Sequence, residues 1–272
     1  MYYLLLLIPI FIFYPIYLID FISTIITTIF CFCKNINRYK TAKNNIKKVF
    51  PELSELQRSK IIYSSTKVTI MNIMIGLMGK LLYKFTCFRN SVEFNIPNSF
   101  YNDISTNGVL LLGCHNSLWY STLIFIGEYC KRNFLIVIIY KKYVNNLLYP
   151  KNFYKNMKFS NKNDPNSINL LNLSRKEILI MLCDQHSGSG YSNINFLNHQ
   201  VKFHKGPEII QKKTKRIIWI LNHSYRNYKI YINIYKMNLD SNKSTTQNIA
   251  DEFDKIILKN PNEYFWLHNR FK

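Results

Sequence analysis

A long apolar segment opens the chain and constrains its fold more than any other feature. Residues 2–33 are almost all apolar or aromatic, and Asp20 is the only charged residue among them. About 20 apolar residues are enough to cross a bilayer, so we expect residues 1–33 to form an N-terminal membrane anchor. Pro9 and Pro15 would bend such a helix, which leaves open a bent span or a partly interfacial helix. A hairpin of buried core helices is the remaining alternative.

Basic residues follow the apolar segment at once. They are Lys34, Arg38, Lys40, Lys43, Lys47 and Lys48. Positive charge beside a membrane segment favours the cytoplasmic side, where an anionic leaflet attracts it. We therefore expect a single N-terminal anchor in the inner (cytoplasmic) membrane, with residues 34–272 as one domain on the cytoplasmic side.

The whole chain is strongly basic, with 36 Lys and Arg against 15 Asp and Glu and a formal net charge of +21. Such an excess suits phospholipid headgroups, phosphorylated glycolipids, an acidic carrier protein or nucleic acid. The abundance of Asn, Ile, Lys and Tyr also indicates a compositional bias that would place lysine wherever the surface tolerates it. Only the charge favours nucleic acid, because no nucleic-acid-binding signature accompanies it, so we expect no nucleic-acid partner.

The six cysteines show no regular spacing. They are Cys31, Cys33, Cys87, Cys114, Cys130 and Cys183. This pattern favours buried free thiols in a reducing compartment over disulfides. No Cys/His cluster has the spacing of a zinc site, so we expect neither a structural metal nor a cofactor.

The rest of the chain alternates strand-like and helical patterns. Capping boxes at Ser54–Gln57 and Ser244–Gln247 predict helices that run towards Met78 and end near Pro261. From Trp119 to Cys130, mostly apolar residues recur at the spacing of one helix face, which predicts a further helix there. The predicted strands are Val109–Cys114, Phe134–Tyr140, Ile178–Cys183, Ile217–Leu221 and Tyr228–Tyr235. The alternation predicts an α/β domain with a sheet flanked by helices.

Polar residues end two of the predicted strands. His115 follows one apolar run and Asp184 follows another, at the strand ends where open α/β sheets keep their sites. A histidine there is well placed as a general base, although a structural histidine is the alternative. Asp184 could instead form a turn, since Ser-Gly-Ser-Gly comes soon after it. The turn Lys205–Glu208 and the aromatic-basic tail Phe265–Lys272 complete the candidates, the tail being as suited to packing as to ligand contact.

Six segments carry a recognisable pattern when taken in order. They are Asn45–Ser54 (ending F-P-E-L-S), Gly108–Trp119 (G-V-L-L-L, then His115 and a Trp four residues on), Tyr140–Asn145 (Y-K-K-x-x-N), Asp184–Gln185, Gly206–Pro207 and Pro261–Lys272 (ending W-L-H-N-R-F-K). Behind an N-terminal membrane helix, this order resembles the bacterial lipid A biosynthesis acyltransferases, the late-step lauroyl and myristoyl transferases. The resemblance covers nearly the whole chain.

The resemblance implies a mixed α/β sheet of the glycerolipid-acyltransferase type, acting as an acyltransferase. Family members move a fatty acyl chain from acyl carrier protein to a hydroxyl of a lipid A precursor or a related glycolipid, without a covalent acyl-enzyme. The resemblance makes His115 the general base and matches Asp184 to the acidic residue that the family has after the later strand. By the same resemblance, Lys141 replaces an arginine. The expected substrate-binding residues are Lys141, Trp119, Gln185, Lys205 and Arg270.

The chain departs from the family pattern beside the histidine. Tyr120 stands where the family has a Glu or Asp that orients the histidine, and Trp119 fixes the register. Asn116 and Ser117 replace the usual residues before the tryptophan. Tyrosine cannot supply a negative charge beside an imidazolium. Two hypotheses follow: an active acyltransferase in which Asp184 or solvent replaces the missing acid, or a catalytically impaired homologue that still binds membrane and lipid.

Overall fold

The computed structural model describes residues 15–34, 36–82, 84–119, 135–140, 157–161, 177–185 and 190–271. Tyr120, Lys141 and the helix predicted after Trp119 lie outside the described residues, as does Cys130. The described helices are α1 (Pro15–Phe32), α2 (Asn37–Val49), α3 (Glu55–Leu82), α4 (Thr86–Asn90), α5 (Asn98–Thr106), α6 (Gly206–Thr214) and α7 (Thr245–Lys259), with a 3-10 turn at Pro261–Glu263.

The strands form one large sheet and one hairpin. They are β1 (Val92–Asn95), β2 (Val109–Gly113), β3 (Leu135–Tyr140), β4 (Met157–Asn161), β5 (Glu177–Leu182), β6 (Tyr191–Phe196), β7 (His199–His204), β8 (Ile217–Arg226) and β9 (Lys229–Lys236). The sheet has the order β1-β9-β8-β2-β5-β3-β4, and β6 pairs with β7 separately. Only β8 and β9 pair antiparallel in the large sheet; its other pairings are parallel. The predicted α/β fold with a mixed sheet is confirmed.

The central strands β2 and β5 are almost entirely buried, and all their residues except Glu177 at the start of β5 are non-polar, because both faces of the sheet are covered. Val109 and Leu111 pack on one side with α1, α3 and α5. Leu110 and Leu112 pack on the other side with α2, the β6–β7 hairpin and α7. The domain is therefore a layered structure with helices on both faces of the sheet.

Strand register brings three polar residues to one edge of the sheet. Gly113 of β2 pairs with Leu182 of β5 and with Leu221 of β8. His115, Asp184 and His223 each lie two residues beyond this paired row. Residues at equal offsets from a shared register lie side by side at the strand ends.

The two predicted capping boxes differ in completeness. At the start of α3, the amide of Ser54 donates to Gln57 Oε1 and the amide of Gln57 donates to Ser54 Oγ, so the box is closed. At the start of α7, Ser244 Oγ accepts from the amide of Gln247, but the Gln247 side chain bonds to Asn195 and Asp251 instead. That helix start thus also secures the β6–β7 hairpin.

Two helices in the described ranges are long and apolar enough to cross a membrane, namely α1 and the Glu55–Met78 part of α3. Half of the apolar window of α3 is buried in the protein, against 28% of that of α1. The N-terminal apolar helix predicted from the sequence is therefore present, and much of its surface is exposed. Five described cysteines are free thiols, and of these Cys114 and Cys183 are buried whereas Cys33 is exposed.

Candidate functional site

His115 and Asp184 form a direct buried pair. The Nδ1 atom of His115 lies 2.6 Å from Asp184 Oδ1, and the backbone amide of His115 donates to the same oxygen at 3.1 Å. His115 is 8% exposed and Asp184 1% exposed. The strand register produces this contact, since the two residues follow the paired ends of β2 and β5. The carboxylate thereby fixes both the ring and the backbone of the histidine.

The second oxygen of Asp184 is also engaged. The hydroxyl of Tyr264, which is itself buried, donates to Oδ2 at 2.9 Å. Burial on its own would raise the pKa of Asp184, but the charge and hydrogen bond of His115 outweigh it, with help from Arg270 and Tyr264. The net effect holds the pKa of Asp184 below its ordinary value. The group is thus an ionised carboxylate with a partner on each oxygen.

The other ring nitrogen of His115 faces the amide of Gln185. The distance from Gln185 Nε2 to His115 Nε2 is 3.1 Å. With Nδ1 protonated towards the carboxylate, Nε2 carries the lone pair and the amide N–H donates to it. In this tautomer the nitrogen that can accept a proton points away from Asp184, which is the arrangement that a general base requires.

The C-terminal segment closes over the loop that follows β2. The amide of Phe265 donates to the carbonyl of His115 at 2.9 Å, and the amide of Ser117 donates to the carbonyl of Glu263 at 2.7 Å. Trp119 packs edge-on against the His115 ring, with ring centroids 4.6 Å apart. These bonds tie the histidine to the segment that supplies Tyr264.

The loop beside the histidine carries local backbone strain. Ser117 has a φ of 52°, in the left-handed region that favours glycine. A non-glycine residue there costs about 1 kcal/mol.

A second polar layer lies behind His115. His223 is 1% exposed, and burial together with the charge of His115 lowers its pKa from 6.5 to about 3, so the ring stays neutral. The side-chain amide of Asn116 donates to the carbonyl of His223 at 3.3 Å. Burial raises the pKa of Glu263 from 4.5 to about 7, although a hydrogen bond from the backbone amide of Tyr225 opposes the rise.

The remaining predicted residues have different surroundings. Arg270 is 1% exposed, and its guanidinium lies over the rings of Phe196 and Phe203, 4.8 and 5.1 Å from their centroids. Its charge acts on Asp184 through the protein interior. Lys205 is exposed at the start of α6, where its amide donates to the carbonyl of Gly190.

The structure therefore groups His115, Asp184, Gln185 and Trp119 at one edge of the sheet. The charge of the buried Arg270 acts on Asp184. Lys205 is not among the side chains that contact this group in the described ranges. Tyr264, Glu263 and His223 belong to the site although sequence reasoning did not select them. Tyr264 lies inside the terminal motif, but the sequence pattern of that motif gives no sign that the tyrosine hydroxyl reaches Asp184, 80 positions earlier.

Chemically, the site offers a histidine oriented by a buried carboxylate, and this histidine can remove a proton from a hydroxyl and return it to a leaving group. Within the residues that the structure describes, no group of three His, Cys, Asp or Glu side chains is arranged to hold a metal ion.

A scan against models of protein families matches this chain to the family described as bacterial lipid A biosynthesis acyltransferase. The match covers residues 2–272, which is nearly the whole sequence. A search of curated proteins gave no match.

Proposed function

Because the chain belongs to the bacterial lipid A biosynthesis acyltransferase family, we propose that it transfers a fatty acyl chain from acyl carrier protein to a hydroxyl of a lipid A precursor or a related glycolipid. The 2.6 Å contact between His115 and Asp184 carries the proposal, because it supplies an oriented base without the acid that the family has at position 120. The family is one of acyltransferases; the donor and the acceptor are the proposed details.

The proposed reaction runs through one tetrahedral intermediate. The Nε2 atom of His115 takes the proton of the acceptor hydroxyl, whose oxygen attacks the thioester carbonyl of the carrier protein. The resulting oxyanion collapses, the C–S bond breaks, and the imidazolium returns the proton to the departing thiolate. The products are the acyl ester and the free thiol of the carrier, and no acyl-enzyme forms.

Asp184 takes over the task of the missing acid in this proposal. Its charge stabilises the imidazolium that forms when His115 accepts a proton, and its bond to Nδ1 holds the reactive tautomer. Tyr264 and the backbone amide of His115 keep the carboxylate in place. The pair comes from two adjacent strands, and its geometry therefore depends on the rigid centre of the sheet.

Substrate contacts are assigned by position. Gln185 and Trp119 border the basic nitrogen, so both would meet the acceptor hydroxyl. Lys141 and Lys205 would meet phosphates or the acidic carrier protein, as the family resemblance implies. Arg270, being buried, would support the charge of Asp184 rather than touch substrate.

The proposed location is the cytoplasmic side of the inner membrane. The exposed apolar surface of α1 supports membrane attachment, and the net charge of +21 suits an anionic leaflet, where the glycolipid acceptor would also lie.

The test is acyl transfer by purified membranes that contain the protein. A labelled acyl carrier protein thioester is offered with a tetra-acylated lipid A precursor or with another glycolipid, and the acylated product is identified by mass. Product that is lost in His115→Ala supports the proposal. Absence of product above that control with every acceptor, from folded protein, contradicts it.

A second candidate is a catalytically impaired homologue that retains membrane and lipid binding. The observation that favours it is Tyr120 at the position of the family's acid. The variant Tyr120→Glu separates the two candidates. If turnover is found only in the variant, the native protein is impaired; if the native protein is already active, an acid at position 120 is not required.

A further inference from the structure

The outward side of α1 is apolar, while two of its hydroxyl residues lie buried in the protein on the same side as Ile16 and Ile19. Ile25, Ile29 and Phe32 are 46%, 61% and 82% exposed, whereas Ser23 and Thr27 are fully buried. A surface helix in water has the opposite arrangement, with its apolar stripe facing the core. Apolar side chains outside and polar ones inside are typical of a helix whose outer surface meets hydrocarbon.

The only charged residue of α1 ties the helix to the body of the protein. Asp20 accepts a hydrogen bond from Lys67 of α3 at 2.8 Å and another from the hydroxyl of Tyr225 of β8 at 3.1 Å. A helix that crossed the membrane apart from the domain would carry this carboxylate into lipid without its partners, which is unfavourable. α1 is therefore packed as part of the domain.

Helix α3 extends the apolar surface. Near its start the exposed residues include Gln57, Ser59 and Lys60. Towards its end, the exposed residues among the side chains that the structure describes are Ile73, Leu77, Met78 and Leu81, which are 41–53% exposed, and Phe85 follows at 40%. The exposed side of one helix thus changes from largely polar to apolar along its length, which is expected where a protein passes from water into lipid.

Exposed positive charge lies at the ends of this surface. Lys34 follows α1 and Lys84 follows α3, and both are exposed. Lysines at such positions can place their ammonium groups among anionic headgroups while the neighbouring apolar residues enter the acyl chains. A water-facing patch of this extent is unusual in a monomer, and its basic ends favour an anionic leaflet over a second, equally basic copy of this chain.

We propose that the outer side of α1, the C-terminal half of α3 and Phe85 form one lipid face that inserts into the acyl-chain layer of an anionic leaflet. The domain is then held directly against the membrane, instead of hanging from a separate N-terminal span. The proposal goes beyond the transfer reaction and does not depend on it, because insertion can be measured without turnover.

The experiment measures the depth of nitroxide labels in anionic phosphatidylglycerol vesicles that carry the full-length protein. Single cysteines are placed at Ile29, Leu77 and Leu81 after the accessible native cysteines are replaced by serine. Leu258 is the matched control, because it is an exposed leucine of α7 with a similar exposure (45%, against 51% for Leu77) but neighbours Lys255 and Lys259. Thermal unfolding of each labelled protein verifies folding.

The proposal predicts that labels at 29, 77 and 81 all collide several-fold more with oxygen, and less with a water-soluble nickel chelate, than the label at 258. A label at 29 deep in lipid with labels at 77 and 81 in water would overturn it in favour of a separate span. Labels at 77 and 81 that are shielded from both reagents and lie close to those of another protein molecule would overturn it in favour of a dimer. Loss of acyl transfer would not affect either reading.

Discussion

The substitution Asp184→Asn probes the buried pair with little change in shape. Asp184 is 1% exposed, and its two oxygens serve His115 and Tyr264. Asparagine can keep one oxygen and one of these bonds. Its NH₂ group must then face either Tyr264 or the Nδ1 atom of His115, and the negative charge is absent in both cases.

The expected size of the effect follows from this geometry. An amide that donates to Nδ1 forces the proton onto Nε2, so that the base is already protonated where it should accept a proton. The loss of the charge also removes support for the imidazolium. For the equivalent change in a Ser-His-Asp triad the rate falls about 10⁴-fold, so we expect a fall of about 10³–10⁴ here. This corresponds to about 4–5.5 kcal/mol in the activation free energy.

The assay is single-turnover transfer from the acyl carrier protein thioester to the preferred acceptor, in membranes with equal amounts of folded protein. Asp240→Asn is the matched control, because it makes the same substitution at an exposed position in the loop before α7. We expect the control to keep the native rate and the native thermal unfolding temperature.

A fall of less than about tenfold in Asp184→Asn, with the control at the native rate, would show that Asp184 does not orient the base. Loss of a carboxylate with that role lowers the rate far more. Lower transfer in parallel with lost folded protein would be visible in the unfolding measurement and would be corrected by normalising to folded enzyme.

Four further outcomes are expected. Tyr264→Phe removes one bond to the Asp184 carboxylate and should lower kcat by about tenfold with KM unchanged, as measured by steady-state transfer. Gln185→Ala removes the amide that borders the base and would meet the acceptor hydroxyl, so KM for the acceptor should rise by about fivefold at constant kcat; a lower kcat would show instead that the amide acts in the transition state. Ser117→Gly relieves the positive φ and should stabilise the protein by about 1 kcal/mol in chemical denaturation. Because burial raises the pKa of Glu263 from 4.5 to about 7, the native protein should lose up to about 3 kcal/mol of stability as pH rises through this range, and Glu263→Gln should lack that loss.

The sheet and its strand ends were predictable because buried parallel strands leave a strong apolar pattern. The runs ending at Cys114 and Cys183 predict β2 and β5 almost to the residue. Two polar residues at neighbouring strand ends are then expected to lie close together, provided that the strands are neighbours. Their adjacency depends on the strand order, which the local pattern does not contain, so the sequence leaves open whether Asp184 lies close to His115.

The support around the pair was not predictable from periodicity. Tyr264 reaches Asp184 across 80 residues of sequence, and His223 joins the site only because β8 shares the register of β2. The family resemblance assigns Arg270 to substrate binding, and its stacking on two buried phenylalanines could not be predicted from the sequence. Such contacts arise from the packing of distant segments, and a single sequence records them weakly.

For the N-terminal helix, too, the sequence predicts the element but not its contacts. Length and hydropathy predict a membrane segment, and the helix is present. The inward direction of Asp20 and its bonds to Lys67 and Tyr225 could not be read from the sequence, because they depend on how α1 lies against α3 and the sheet. These bonds change the expected form of attachment from a separate anchor to a face of the domain.

The central claim is that His115 and Asp184 act as one unit in acyl transfer, and a double-variant cycle tests it most directly. Single-turnover rates are measured for the native protein, His115→Ala, Asp184→Asn and the double variant. We expect both single variants to be severely slowed and the double variant to be no slower than His115→Ala, because a carboxylate without its base has nothing to orient. The claim is contradicted if Asp184→Asn slows the His115→Ala protein by the same factor as the native one, or if the native protein transfers no faster than His115→Ala.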